Sequence, residues 1–95
     1  MPAYIICRIS VQNPVAYREY VEMAGPAVIR NGGRFIVRGG PVKVLEGNFD
    51  AERIVIAEFE SVEAAWRSYL SPDYQAAKAK RMGAARFDAI VVDGG

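Results

Sequence analysis

Four segments of this chain alternate between two sets of side chains, and in each segment one set is rich in apolar residues. The segments are Ala3 to Val11, Arg34 to Arg38, Arg53 to Phe59 and Phe87 to Val92, and such alternation is typical of strands with one buried face. The apolar sets are Ile5, Cys7, Ile9 and Val11; Phe35 and Val37; Val55, Ala57 and Phe59; Phe87, Ala89 and Val91. We expect these side chains to face a layer of helices.

Between the strands the apolar spacing becomes helical, and each helix opens with a capping residue. Asn13-Pro14 begins the first helix, which Gly25-Pro26 should kink or interrupt. Ser61 caps the second helix, and Ser71-Pro72 opens a third that continues to about Ala85. We expect the second helix to turn four side chains inward: Val62, Ala65, Trp66 and Tyr69.

The order of elements is β-α-β-β-α-β, which predicts an α+β, ferredoxin-like fold with a four-stranded antiparallel sheet and both helical layers on one face. Residues 1–95 then form a single domain. The glycines of the stretch 32–40, GGRFIVRGG, resemble a phosphate loop, but neither phosphate-loop spacing occurs there. We interpret this stretch as a strand, with Gly39-Gly40-Pro41 bending the chain so that Val42 to Glu46 forms an arm leaving the sheet.

The other face of the predicted sheet mixes charged and aliphatic side chains. Its aliphatic members are Ile6, Ile36, Ile54, Ile56, Ile90 and Val92. Soluble monomers rarely expose an apolar patch larger than a few hundred Å², and a chain of 95 residues with 52% hydrophobic residues has little interior to bury them. We therefore expect a homodimer that forms through this sheet face.

Composition excludes several classes of function. The net charge of +1 gives no field for a polyanion, and the sheet face lacks the aromatic residues of an RNA-recognition domain, so we expect no nucleic-acid partner. With no histidine and one cysteine, the chain lacks the usual ligands of zinc and haem, and we expect no metal and no cofactor. The amino terminus lacks a basic region before its apolar residues, and the apolar runs are too short to span a bilayer. We expect a cytoplasmic protein with no membrane partner.

Four stretches together resemble the domain-of-unknown-function family DUF1330 of the dimeric α/β-barrel superfamily. They are AYIICRISVQNPVAYREY, NGGRFIVRGGPVKVLEG, RIVIAEFES and YLSPDYQAAKAKR, and the similarity covers nearly the whole chain. The resemblance implies a dimeric α/β barrel in which two sheets close face to face around a cavity. It implies no reaction, because the family has no settled activity.

Arg8 and Glu58 are the central charged residues of the mixed sheet face, on two strands that neighbour each other in this fold. One interpretation is a structural ion pair that is partly buried. The other is a polar anchor in the cavity, with Arg8 binding a substrate carboxylate and Glu58 acting as a catalytic acid or base. Both interpretations stay open at this point.

Other candidate residues flank this pair. Arg34 and Arg38 are expected on the same face, either as edge residues reaching solvent or, with Arg8, as a cationic rim for an acidic ligand. In cofactor-free monooxygenases of this superfamily, aromatic and amide groups hold the substrate, so the resemblance adds Tyr4 and Trp66 as candidates, besides a packing role for Trp66. Cys7 points into the helix side and is expected to be an inert apolar residue.

Two function classes follow. The first is a cofactor-independent oxygenase or isomerase that acts on a small acidic or aromatic substrate in a cavity between the sheet and the helices. The second is a non-catalytic ligand-binding or scaffolding dimer. The absence of histidine weakens the first class, because histidine is the commonest general base. The charged residues of the sheet face weaken the second.

Overall fold

A computed structural model describes residues 1–50 and 53–95, and these residues form one antiparallel sheet covered by helices on one face. The strands lie in the order β2-β3-β1-β4. In chain order the elements are β1 (Ala3–Val11), α1 (Pro14–Arg30), β2 (Arg34–Arg38), β3 (Arg53–Phe59), α2 (Val62–Leu70), α3 (Pro72–Arg81) and β4 (Ala85–Asp93). The predicted ferredoxin-like fold is confirmed.

The core lies between the helices and the predicted apolar side of the sheet. Phe59 and Ile9 are its largest fully buried side chains, and each removes enough apolar surface from water to stabilise the fold by about 1.5–3 kcal/mol. Cys7 and Ala57 are buried beside them. The expected orientation of β1 and β3 is therefore confirmed, and we call the uncovered side of the sheet the open face.

Strand β2 departs from simple alternation. Phe35 pairs with Ala57, but the next pair is Val37 with Ile56, so one extra residue, Ile36, forms a β-bulge. Beyond a bulge the two faces of a strand are exchanged. Val37 therefore lies on the open face and Arg38 on the helix side, the reverse of the prediction for both residues.

Helix α1 is continuous, although an interruption was expected at Gly25-Pro26. Asn13 caps it as predicted, since its side-chain oxygen accepts a hydrogen bond of 3.2 Å from the backbone N–H of Ala16. Pro26 lies inside the helix. Proline removes one backbone donor and normally clashes with the Cβ of the preceding residue. That residue is Gly25, which has no Cβ, so the helix passes through.

Helices α2 and α3 meet at one shared residue, Ser71. Its backbone N–H bonds to the Ser68 carbonyl at the end of α2, and its hydroxyl also donates to that carbonyl at 2.7 Å. The same hydroxyl accepts a bond of 3.3 Å from the Tyr74 N–H in the first turn of α3. Ser61 caps α2 in the usual way, with a bond of 3.0 Å from the Ala64 N–H. Both predicted serine caps are confirmed.

Helix α3 ends at Arg81, four residues before the predicted end near Ala85. The chain becomes extended at Met82 and takes a left-handed conformation at Gly83, whose φ is +81°. The turn is fixed by Ala84, whose carbonyl accepts bonds from the backbone N–H groups of Gln12 and Asn13. Strand β4 consequently begins two residues earlier than predicted.

Val42 to Glu46 leave the sheet, as predicted, within a longer segment, residues 40–50, that contains no strand. Gly39 bends the chain with a φ of +83°. The segment returns across the open face, where the Phe49 ring lies 5.7 Å from the Arg8 guanidinium carbon and Asp50 pairs with Arg86 at 3.2 Å. None of the helices in the described residues is both long and apolar enough to cross a membrane.

Candidate functional site

A cavity of about 270 Å³ lies between the sheet and the helices. Its floor is apolar and comes from β1, β2, β3 and β4, and its roof comes from the three helices. The floor residues are Ile5, Cys7, Ile9, Phe35, Val55, Ala57, Phe87 and Ala89. A concave and mainly apolar space with a few polar groups is the usual form of a small-molecule site.

Four tyrosines, Tyr17, Tyr20, Tyr69 and Tyr74, form the roof of the cavity. The hydroxyls of Tyr20 and Tyr74 share a buried hydrogen bond of 2.8 Å. The Tyr20 ring is tilted 42° to that of Tyr17 and stands edge-on to that of Tyr74. Burial raises the pKa of Tyr20, and the bond to Tyr74 adds to this effect. The Tyr20 hydroxyl therefore stays protonated at neutral pH and can donate a hydrogen bond.

Two arginines bring positive charge to the cavity lining. Arg38 reaches it because of the bulge in β2, and its guanidinium carbon lies 4.3 Å from the centre of the Phe35 ring. Arg53, at the start of β3, lies 5.5 Å from the centre of the Tyr17 ring. No aspartate or glutamate belongs to the lining among the residues that the structure describes. The described part of the lining thus presents cations without a matching carboxylate.

Space for Arg38 depends on Gly25 in the facing turn of α1. A Cβ built on Gly25 would lie 2.9 Å from Nη2 of Arg38. The guanidinium therefore lies directly against the helix backbone, at the boundary between cavity and solvent. The interaction with Phe35 holds the planar group in this place.

Cys7 contributes the remaining ionisable group of the cavity floor. Its side chain is buried, and burial raises the pKa of the thiol to about 11. A thiol is a good nucleophile only as the thiolate. Cys7 is thus protonated at neutral pH, which agrees with the expectation of an inert residue.

Arg8 and Glu58 are not partners, so the predicted pairing is wrong. Strand register places Arg8 opposite Ile54 on β3 and Asp88 on β4, and Arg8 pairs with Asp88 at 3.6 Å. Glu58 is the second-last residue of β3, opposite Tyr4 rather than Arg8. The sequence shows which strands carry the charges, but it does not show how the strands are offset.

Glu58, Tyr4 and Arg34 instead form a cluster at one edge of the open face. Arg34 donates a hydrogen bond to Oε1 of Glu58, and the Tyr4 hydroxyl donates to Oε2 at 3.4 Å. The bond from Arg34 lowers the pKa of Glu58, so this carboxylate is ionised at neutral pH. The cluster is on the opposite face of the sheet from the cavity, and neither Glu58 nor Tyr4 lines that cavity.

Trp66 is half-exposed, not turned inward as the helical spacing indicates. Helix α2 packs on the sheet through its buried small residues, Ala65 and Ser68. Trp66 lies beside that contact, and its ring stacks on Tyr69 with centroids 6.1 Å apart. It lines a separate groove next to β4.

Of the residues predicted for the site, only Arg38 lines the cavity, while Arg53 and the tyrosines of α1 were overlooked as site residues. A signal for Arg53 existed, because it has the same parity as Val55 and Ala57 and so puts a charge on the apolar side of β3. The signal for Tyr17 and Tyr20 was weaker. Inward tyrosines at helical spacing usually serve as core residues, and nothing in the sequence shows that a space remains beneath them.

Comparison with solved structures finds the same fold in other proteins. The RPA0582 protein of Rhodopseudomonas palustris, of unknown function, is 25% identical, with a TM-score of 0.75 over 96% of this chain and 80% of that one. The cofactor-independent oxygenase SnoaB of Streptomyces nogalater is 14% identical, with a TM-score of 0.70 over 99% and 93%. A dimeric ferredoxin-like protein of unknown function from Thermobifida fusca is 17% identical, with a TM-score of 0.64 over 97% and 90%.

A comparison with curated proteins gave no match. The family model described as domain of unknown function DUF1330 matches residues 2–95, which is nearly the whole chain. This chain, with its open sheet face and its tyrosine-roofed cavity, therefore belongs to the DUF1330 family.

Proposed function

We propose that the protein binds a small aromatic acid in the cavity between the sheet and the helices. The observation that carries this proposal is the lining, in which four tyrosine rings and the Phe35 ring surround a space reached by two arginines and, among the described residues, by no carboxylate. Arg38 and Arg53 provide planar, permanently charged donors suited to a carboxylate. The aromatic side chains provide a low-polarity surface for a ring.

Binding fits the cavity better than acid–base catalysis by its own residues. A general base must be unprotonated near the working pH. Among the described lining residues, the Cys7 thiol and the Tyr17 and Tyr20 hydroxyls all have a pKa raised by burial. They donate hydrogen bonds and do not remove protons at neutral pH.

Cofactor-independent oxygenation or isomerisation is the second candidate function, favoured by the similarity to SnoaB. In this function the cavity holds a substrate acidic enough to give its proton to solvent water, because the described lining residues include no carboxylate to accept it. The Tyr20 and Tyr74 hydroxyls stabilise the negative charge that develops on an oxygen atom of the bound substrate. The test is oxygen uptake by metal-free protein supplied with phenolic acids, and Tyr20→Phe should lower the rate about tenfold or more. A rate that is unchanged in Tyr20→Phe counts against this candidate.

The functional unit that we propose is a homodimer formed through the open face. Ile6 lies between Ile56 and Ile90 there, so the aliphatic side chains form one continuous patch. Ile36 and Ile90 are exposed in the single chain. The Thermobifida fusca protein with the same fold is described as dimeric. A dimer that only scaffolds other proteins would use the same patch but would not need the cavity.

Thermal shift with benzoate, and with uncharged benzamide as its isostere, tests the cavity ligand. We expect benzoate to raise the melting temperature of the wild type more than benzamide does. Arg38→Gln combined with Arg53→Gln should remove most of the difference, because both cations of the lining are then lost. Arg34→Gln is the matched control, since Arg34 belongs to the same strand as Arg38 but bonds Glu58 on the open face. A difference as large in the double variant as in the wild type contradicts the proposal.

A further inference from the structure

A second recess lies beside β4, between this edge strand and the helices α2 and α3. It is an open groove of about 770 Å³. Four residues line both the groove and the cavity and so separate the two spaces: Ile5, Tyr69, Phe87 and Ala89. The groove has its own polar and aromatic groups, which include Trp66, Lys78 and Arg81.

Arg81 is the unusual residue of this groove, because it is a buried cation that has no anionic partner among the residues that the structure describes. Only 7% of its surface is exposed. Its Nε is enclosed, and no acceptor in the described part of the chain lies within hydrogen-bond distance of it. None of the ion pairs formed by the described residues includes Arg81. Asp88 lines the groove too, but it pairs with Arg8 and Arg86.

The surroundings of Arg81 compensate only part of the free-energy cost of burying its charge. Its guanidinium carbon lies 3.7 Å from the centre of the Phe87 ring and 5.4 Å from that of Tyr20. It is also the last residue of α3, where the helix dipole favours a positive charge. Neither interaction gives the Nε–H group an acceptor, and buried polar groups without a partner are rare in proteins. An anion that enters the groove would supply a counter-charge for Arg81, which lines it.

Next to this cation is a flat aromatic surface. The Trp66 and Tyr69 rings stack at an interplanar angle of 22°. Lys78 fixes the Tyr69 side of the stack, since its Nζ donates to the Tyr69 hydroxyl at 2.9 Å and lies 5.3 Å from the ring centre. A planar ring can lie along this surface while its carboxylate reaches Arg81.

We propose that this groove is a binding site for a planar aromatic carboxylate, with Arg81 as the residue that recognises the anion and the Trp66–Tyr69 stack as the surface for the ring. The proposal does not depend on a ligand in the cavity, because Arg38 and Arg53 do not line the groove. A peptide or protein carboxylate would need the same cation but not the aromatic stack. We infer a small molecule because the aromatic stack adjoins the buried cation.

The chain provides a local signal for this site, since Trp66 is its single tryptophan. We expect benzoate to quench Trp66 fluorescence, excited where tyrosine does not absorb, in a saturable way, and benzamide to have a much smaller effect. Arg81→Met removes the guanidinium and leaves an unbranched, apolar side chain in its place. This variant should bind benzoate about tenfold or more weakly, which is the loss expected for one charge-assisted hydrogen bond. Lys80→Met is the matched control, because Lys80 is the exposed neighbour in the same helix, and its affinity should equal that of the wild type.

The remaining outcomes decide between the sites. Quenching that persists in Arg81→Met, or is equal with benzamide, overturns the proposal. Loss of quenching in the double variant, Arg38→Gln with Arg53→Gln, also overturns the proposal, because the fluorescence then reports binding in the cavity. If the double variant loses only the thermal shift and keeps the quenching, the result concerns the cavity proposal alone. If Arg81→Met does not fold, the Nε–H resonance of Arg81 in the wild type replaces it. A downfield shift with benzoate supports the site, and an unchanged resonance contradicts it.

Discussion

Gly33 lies between the end of α1 and the start of β2, against two side chains of the core. A Cβ built at this position would lie 2.6 Å from Cγ1 of Val28 and 2.7 Å from Cζ of Phe59. Both neighbours are buried, and a close-packed interior gives them little room to move away. The glycine is required here by packing and not by a left-handed backbone.

Replacing Gly33 by alanine should therefore destabilise the protein. We expect Gly33→Ala to lower the free energy of unfolding by about 1–3 kcal/mol, the usual cost of overpacking a core, measured by urea denaturation. Gly40→Ala is the control, because nothing lies within 4 Å of a Cβ at that position. Its effect should stay within about 0.5 kcal/mol. Equal losses in the two variants would contradict the packing argument.

The residue positions that sequence could not predict have a common physical cause. Alternation gives the face of a side chain only while the register is regular, and the extra residue Ile36 leaves no mark in the composition of β2. Arg38 was consequently expected on the open face. In the same way, the partner of Arg8 depends on the offset between strands, which turns and packing decide.

Asp73 connects two elements, because it lies in the first turn of α3 and bonds to the end of α1. Its carboxylate accepts a hydrogen bond of 2.9 Å from Nη2 of Arg30 and one of 3.1 Å from the side-chain amide of Asn31. Hydrogen bonding by Ser71 and then by Arg30 lowers the pKa of Asp73 to about 2. The ionised carboxylate thus joins the two helices and also compensates the positive end of the α3 dipole.

This arrangement predicts a pH dependence of stability. Because the pKa of Asp73 is lower in the folded chain than the value of about 4 expected when unfolded, the ionised group stabilises the fold above that value, and the contribution is lost as the pH falls through about 2. Asp73→Asn should be less stable than the wild type at neutral pH, and urea denaturation should show the difference shrinking towards that acid limit. Glu63→Gln, which changes the equivalent first turn of α2, should give a smaller difference. If the difference in free energy of unfolding between wild type and Asp73→Asn does not change with pH, the lowered pKa of Asp73 is refuted.

Most of the elements were predictable from the sequence because their ends carry local signals. Asn13, Ser61 and Ser71 cap three helices, and each bonds a backbone N–H of its own first turn. The orientation of α2 was harder to predict from the sequence. A nine-residue helix with small residues on one side packs by close approach of its backbone, so Trp66 stayed outside although its spacing indicated the core.

At the scale of the whole molecule, the single chain leaves one sheet face without a helical cover. The exposed fractions of Ile36 and Ile90 on this face are 46% and 62%. Burying a fully exposed side chain of this size contributes about 1.5–3 kcal/mol, so burying the remaining exposed half of one of these contributes roughly 1 kcal/mol before the cost of association. Several of them on one contiguous surface support the proposed dimer.

Ile90→Asp should break this dimer without unfolding the chain. The substitution puts a charge without a partner into the apolar contact, while the exposed position tolerates it in the monomer. Light scattering should give the mass of one chain for Ile90→Asp and of two for the wild type. Leu70→Asp is the control, because Leu70 is 53% exposed at the end of α2, away from the open face. A wild type that is monomeric, or an Ile90→Asp dimer, would contradict the proposed interface.

Because the hydroxyl of Ser71 both ends α2 and begins α3, the two helices cannot fray independently at their junction. Loss of this one side chain removes one hydrogen bond from the Ser68 carbonyl in α2 and one from the Tyr74 N–H in α3. The amides around the junction should therefore exchange with solvent deuterium as one cooperative unit with a single opening free energy. Ser71→Ala should speed exchange in the last turn of α2 and the first turn of α3 together, and faster exchange in only one helix would show two separate units.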